Sequence, residues 1–379
     1  MAARAYLDHA SSSPLRPAAL EAMLPYLREH HADPGRLHAE GRVTRVALED
    51  ARTQVAAFFG ARAREVVFTS SGTEAVNTAV WGALARGAAA GGAGHVVTTA
   101  VEHSCARDAV ARSDAEVTSV GVDRTGRFDA DEVVAAIRPD TTLVTVQLAN
   151  HEVGTMQPAA EVCALARERN VIVHVDACAA AGHAPVDFRA LDADLCSVTA
   201  HKLGGPTGAG ALLVRRGLRF PPFLVGGAQE RARRAGIENV PACVGFGAAC
   251  AGMNVEREAT EQRALIAVAA SVIDRVPGIE RFGSEGVAAT LPHVLCFGVG
   301  GVEAEPILLA LDQHGVAIHS GSSCSSETLE PSPVLAAMGV DADHSLRISV
   351  GWSSTVADVN RFVEVFPGIV QRFRALRSA

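Results

Sequence analysis

Short, nearly uninterrupted β-branched runs alternate with helical stretches along most of this chain, and that alternation restricts its fold more than any other feature. Residues 65–69, 95–99, 141–147, 171–175, 194–199 and 211–214 read as buried strands. Helices are expected at 74–86 and at 159–169, the latter closed by Asn170. A strand that is apolar at nearly every position must be covered on both faces, which is the signature of a mostly parallel sheet between helical layers. This α/β pattern runs over roughly residues 16–255. Beyond about residue 260 the texture changes to a long helix at 261–275, a strand at 293–297, a helix at 303–314, a strand at 346–350 and a terminal helix at 356–372. The expectation is a large domain of residues 16–255 and a smaller α+β domain built from 1–15 and 256–379. The Gly- and Ala-rich stretch at 87–94 reads as a surface loop.

Composition removes several classes of function. Of 379 residues, 34 are Lys or Arg and 42 are Asp or Glu, so the formal charge is −8. Such a chain has no electrostatic reason to bind nucleic acid or anionic lipid directly. With 48% hydrophobic and 20% charged residues it is a folding composition, not a disordered one. The 8 Cys are scattered and form no C-x-x-C pair, against a zinc knuckle or a disulfide scaffold. No metal site is expected. Neither a signal peptide nor a run of about 18 uncharged apolar residues is present, so a cytoplasmic protein without a membrane anchor is expected.

In open α/β sheets, ligands sit beyond the carboxyl ends of the strands. The first strand is followed by Ser70, Ser71, Gly72, Thr73 and Glu74, opening a helix. Small residues at a helix start admit an anion to the backbone N–H groups, although an ordinary capped helix would look the same. Asp176 ends one strand, and His201 and Lys202 follow another. An Asp and a Lys in one crevice form either a plain salt bridge or the two anchors of pyridoxal phosphate. That cofactor's aldehyde needs a Lys amine, and its ring nitrogen needs a carboxylate to remain protonated. His103 follows a strand end, where an imidazole could stack on the ring and move protons. Cys324 lies among small polar residues, either as a nucleophile on a loop or as a partly buried thiol. The other seven Cys read as core.

Taken together, these residues resemble the NifS/IscS-type cysteine desulfurases, class V aminotransferases of pyridoxal phosphate fold type I. The opening at 6–14, the TSSGTE motif at 69–74, Glu102-His103, the NHEVGT motif at 150–155, HVDA at 174–177, Ala200-His201-Lys202 and SGSSCS at 320–325 fall in the family's order and spacing. The resemblance implies that Lys202 joins the cofactor covalently, Asp176 faces its ring nitrogen and His103 stacks on it. Gly72, Thr73, Thr199 and His201 would hold the phosphate. Arg347 would take the carboxylate of L-cysteine, and Cys324 would accept the sulfur as a persulfide and pass it to an acceptor protein. A homodimer is implied, with the acceptor serving iron–sulfur assembly, tRNA thiolation or DNA sulfur modification. The chain departs from the family pattern at His151 (usually Asn), Ala179 (usually Gln), Ile237 (usually Thr), Asp33 (usually Asn) and Thr207 (usually Lys); the residues usual at 151 and 179 help hold the cofactor's ring oxygen, where His151 can still donate an N–H and Ala179 cannot. The rival readings are a class V aminotransferase or cysteine/selenocysteine lyase with Cys324 as a bystander, and a scaffold with weak turnover.

Overall fold

The structure is a computed structural model that describes residues 4–89, 94–321 and 332–378. Its strands are β1 (Ala5–Tyr6), β2 (Val66–Thr69), β3 (His95–Thr99), β4 (Glu116–Val120), β5 (Thr141–Gln147), β6 (Ile172–Asp176), β7 (Leu195–Thr199), β8 (Gly210–Val214), β9 (Ile279–Phe282), β10 (Val294–Val299), β11 (Val316–Ala317), β12 (His319–Ser320) and β13 (Ser345–Ser349). Seven of them form one sheet in the order β2-β8-β7-β6-β5-β3-β4. The pairs from β7 to β4 are parallel, and β8 runs antiparallel to both β2 and β7. β2, β3, β7 and β8 are buried at every position, which is why apolar residues dominate their sequences.

β4 escaped the sequence reading because it is an edge strand with three of its five residues exposed, so it lacks the continuous apolar run. The helix expected at 74–86 is Gly72–Ala89, here α1, so the loop expected at 87–94 is helical through Ala89, and 90–93 lie outside the described residues. Ala is the strongest helix former, and an Ala-rich run can extend a helix past an internal Gly. The helix Ala159–Arg167 ends before Asn170, whose φ of 57° is the left-handed value that stops a helix. Two helices the periodicity did not flag, Ala39–Phe58 and Val240–Ala251, pack on each other and on the apolar cluster that covers this sheet.

A separate apolar cluster forms around the antiparallel sheet β12-β13-β10-β9 and the helices Val255–Ile273, Ala304–Gln313 and Val356–Ser378. β1 joins that second cluster by pairing in parallel with β11. Among the described residues no helix is long and apolar enough to cross a membrane.

Candidate functional site

The C-terminal ends of β2, β5, β6 and β7, with the turns after them, surround a cleft. Gly72, Thr73, His103, His151, Asp176, Thr199, His201 and Lys202 all line it. These are the eight residues expected to hold a cofactor, brought together from chain positions 130 residues apart.

The floor is set by strand register. Asp176 is the last residue of β6, opposite Gln147 on β5 and Ser197 on β7. It is 7% exposed, and its Oδ1 accepts from the N–H of Cys178 at 2.9 Å. Behind it His174 is fully buried between Thr145 Oγ1 and Ser197 Oγ. Burial pushes the His174 pKa down to about 4, so the ring behind Asp176 is neutral.

One end is an anion cradle. α1 opens at Gly72, with Ser71 Oγ accepting from the Glu74 N–H and Glu74 Oε2 accepting from the Ser70 N–H. The Arg234 guanidinium grips the Glu74 carboxylate and, against the cost of its burial, holds that carboxyl below its usual range. The first N–H groups of a helix have no intrahelical acceptor, so those of Gly72 and Thr73 are available to an anion. A side chain at Gly72 would put its Cβ 2.6 Å from Cys178 Sγ and 3.3 Å from Thr199 Cβ, so only Gly leaves the approach open. Thr199 is 2% exposed, and its Oγ1 has no hydrogen-bond partner among the described residues. A buried hydroxyl without a partner costs about 1–3 kcal/mol, and beside a helix N-terminus a phosphate oxygen would satisfy it. These features fit the phosphate of pyridoxal phosphate.

Lys202 sits in the short 3₁₀ turn His201–Leu203 that follows β7. It is the single lysine in the chain, every other strong base being Arg. A guanidinium does not condense with an aldehyde as an amine does, so position 202 is the one side chain able to carry the cofactor covalently. This count was open to sequence reading and is a sharper signal than the strand-end argument. His103 caps the helix Ser104–Ala111, its Nδ1 accepting from the Cys105 N–H at 3.1 Å. That bond places the proton of a neutral His103 ring on Nε2. The rings of His103 and His151 meet edge to face with centroids 4.9 Å apart. His151 also approaches Glu152, its Nε2 lying 3.5 Å from Oε1. Ala179 lines the cleft with no polar atom to offer a ring oxygen.

Gln147, Cys105 and Cys178 line the cleft as well and were not anticipated. Gln147 ends β5, so the strand-end rule that found Asp176 could have found it. The thiol of Cys178 is pushed far up by burial and by the adjacent Asp176, which keeps it protonated. Glu102 is buried, and burial raises its pKa to about 8 against the bonds from Thr99 and the Gln147 N–H.

Two expected residues are not in this group. Arg347, on β13, is 1% exposed and does not line the cleft. Its guanidinium donates to Asp8 Oδ1 at 3.0 Å, Ser11 Oγ at 2.8 Å and the His151 carbonyl at 2.9 Å, while its Nε has no partner among the described residues. Cys324 lies outside the described residues. Ile237, where the family pattern has Thr, is 62% exposed and has no hydroxyl to extend to a neighbouring subunit.

The Aminotransferase class-V family model matches residues 5–362. A "Cysteine desulfurase" of Trichormus azollae is 39% identical over 98% of this chain and 94% of that protein. A structure described as a NifS-like protein superposes with a TM-score of 0.90 at 28% identity, covering 97% of this chain and all of its own. Another, described as SspA in complex with cysteine, gives 0.81 at 28% identity over 92% of this chain and 99% of that one.

Proposed function

The chain belongs to the class-V aminotransferase family, beside that family's cysteine desulfurases, and on that premise we propose that it is a desulfurase holding pyridoxal phosphate at Lys202. It would convert L-cysteine to L-alanine, the substrate sulfur leaving its carbon and joining the Cys324 thiolate as a persulfide. An acceptor protein then takes that sulfur. The observation that carries the reading is the meeting in one cleft of the single lysine, a strand-end Asp and a Thr199 hydroxyl that has no partner among the described residues, at a helix N-terminus.

When bound, the cofactor supplies an electron-withdrawing ring that weakens bonds next to the substrate's amino carbon. The remaining work belongs to the chain. Asp176 keeps a proton on the ring nitrogen. Gly72, Thr73, Thr199 and His201 seat the phosphate. Burial and the charge of Lys202 lower the His201 pKa to about 4, so His201 acts as a neutral donor. His103, protonated on Nε2 when neutral, stacks and transfers protons. His151 takes the place of an amide donor to the ring oxygen. Arg347 is tied to this cleft by its bond to the carbonyl of the cleft residue His151, and a substrate carboxylate would reach it by replacing Asp8 or at its Nε, which has no partner among the described residues. The family resemblance supports a homodimer and a cytoplasmic enzyme; among the described residues no helix is long and apolar enough to cross a membrane.

The test is direct. The purified chain with added pyridoxal phosphate should absorb in the visible, and borohydride should fix the cofactor on the peptide containing residue 202. A colourless protein without that adduct overturns the reading. Alanine and persulfide should form from cysteine, and Cys324→Ala should abolish persulfide formation. If sulfur transfer survives that change, the nucleophile assignment fails.

A further inference from the structure

Behind Lys202, on the side away from the cleft, lies a buried group of imidazoles that the proposed reaction does not use. His183 is 3% exposed and stacks on His293, which is 2% exposed, with centroids 3.4 Å apart and planes within 12°. His9, 1% exposed, completes the group from the amino-terminal segment. Two of these rings reach one atom, the Lys202 carbonyl oxygen: His183 directly and His9 through Ser13. His183 Nε2 lies 3.3 Å from it, and Ser13 Oγ donates to it at 3.0 Å.

A carbonyl oxygen only accepts, and this fixes every proton around it. His183 must carry its proton on Nε2, and its Nδ1 is then an acceptor. Gln262 Oε1 lies 3.1 Å from that Nδ1 and its Nε2 has no partner among the described residues. Two acceptors do not bond, so with His183 in this tautomer the Gln262 amide turns by half a rotation and presents its N–H to Nδ1. On the other side, Ser13 gives its proton to the carbonyl and so receives one from His9 Nδ1 at 2.9 Å, leaving His9 Nε2 to accept from Ser354 Oγ at 3.1 Å. Both lone pairs of the Lys202 carbonyl are thus used by neutral imidazole chains.

The turn bearing His183 is shaped for this approach. Gly182 has φ of 83°, and a Cβ there would lie 2.5 Å from Leu203 Cβ. The glycine lets the 180–184 turn sit directly against residues 202 and 203.

We infer that His183 is a positioning residue that, with Gln262 fixing its tautomer, holds the Lys202 backbone so that its amine is presented to the cleft. The inference rests on the reading of Lys202 as the cofactor-bearing amine. The charged groups acting on His183 are Glu258 and Lys202; His293 also feels His9 and Arg347. Burial lowers the His183 pKa to about 4, so the ring stays a neutral donor at neutral pH.

The test exploits the single lysine. In the full-length chain, formaldehyde with a mild hydride methylates Lys202 and the α-amine only, so peptide mass spectrometry reads the Lys202 amine alone, with no cofactor needed. His183→Leu removes the donor. It should slow Lys202 methylation about fivefold at neutral pH and displace the pH midpoint of that reaction. His183→Gln, which can place an amide N–H near the old Nε2, should return the rate to within about twofold of the parent. Gln262→Leu leaves His183 in place but frees its tautomer, and should slow the reaction about threefold even if the His183→Leu chain fails to fold. The inference is overturned if Gln262→Leu leaves both rate and midpoint unchanged, or if His183→Gln is as slow as a folded His183→Leu. Because the probe is a plain aldehyde, absence of a pyridoxal phosphate adduct in the parent would overturn the proposed function without deciding this measurement.

Discussion

Replacing Thr199 with Val should stabilise the cofactor-free chain and weaken the cofactor complex, two effects of opposite sign from one atom. Val has nearly the shape of Thr with a methyl in place of the hydroxyl, and β-branching suits the end of β7. In the free chain the Thr199 hydroxyl is 2% exposed and unpartnered among the described residues, a state costing about 1–3 kcal/mol. Removing it should therefore raise unfolding free energy by about 1–2 kcal/mol, since some of that cost is relieved by rotation of the hydroxyl. With the phosphate in place the same hydroxyl makes a hydrogen bond to a charged group, worth about 1.5–3 kcal/mol. Its loss should raise the dissociation constant about 10- to 150-fold. Urea unfolding of the stripped protein and absorbance titration with pyridoxal phosphate measure the two arms. A Val variant that is less stable when stripped, or that binds the cofactor within twofold of the parent, would refute the assignment of Thr199 to the phosphate.

Two further outcomes concern stability. His9, His174 and His183 are each lowered to about 4 from an unfolded value of 6.5, mainly by burial. A group neutral in the fold and protonated when unfolded gives stability that is complete above pH 6.5 and declines toward pH 4; at pH 5 the linkage relation gives up to about 2 kcal/mol per group. Urea midpoints should therefore fall steeply between pH 7 and pH 5, and a flat profile would show that these rings are not held neutral. The second concerns Arg52 and Glu230, a bidentate pair at 2.6 and 2.7 Å whose side chains are 2% and 1% exposed. Glu230→Gln should cost about 3–5 kcal/mol, because it leaves the Arg52 charge buried, whereas the double change to Met and Leu should recover most of that loss. Thermal unfolding of the two variants checks this, and equal destabilisation would contradict it.

The parts of this protein legible in its sequence are those whose signal is local. β3 and β5 announced themselves through apolar runs, and Asp176, His103 and Lys202 through their positions just beyond strands. Long-range partners left no such trace. Asp8 meets Arg347 across 339 residues, so nothing near either shows that the guanidinium already has a carboxylate. His183 lies in a turn after β6 and His293 in the turn leading into β10, so their stacking is set by tertiary packing that no local pattern records. Residues 230–232 have φ of 48°, 60° and 62°, a left-handed run that costs about 1–2 kcal/mol per residue and that neither Glu, Arg nor Ala suggests. The buried Arg52 pair holds that run in place, and a pairing 178 residues apart is equally invisible to local patterns.

The pairing of β1 with β11 has a temporal meaning. Ala5 and Tyr6 have their partners at 316 and 317, and Asp8 waits for Arg347. The seven-stranded sheet can assemble as soon as Val214 has emerged, since all its members precede that point. Ala5, Tyr6 and Asp8 must meanwhile remain unmated until residues 316–347 have been made, and His9, whose Nε2 accepts from Ser354, settles behind Lys202 later still. A fragment stalled before residue 347 would carry the proposed nest for the phosphate without these amino-terminal contacts.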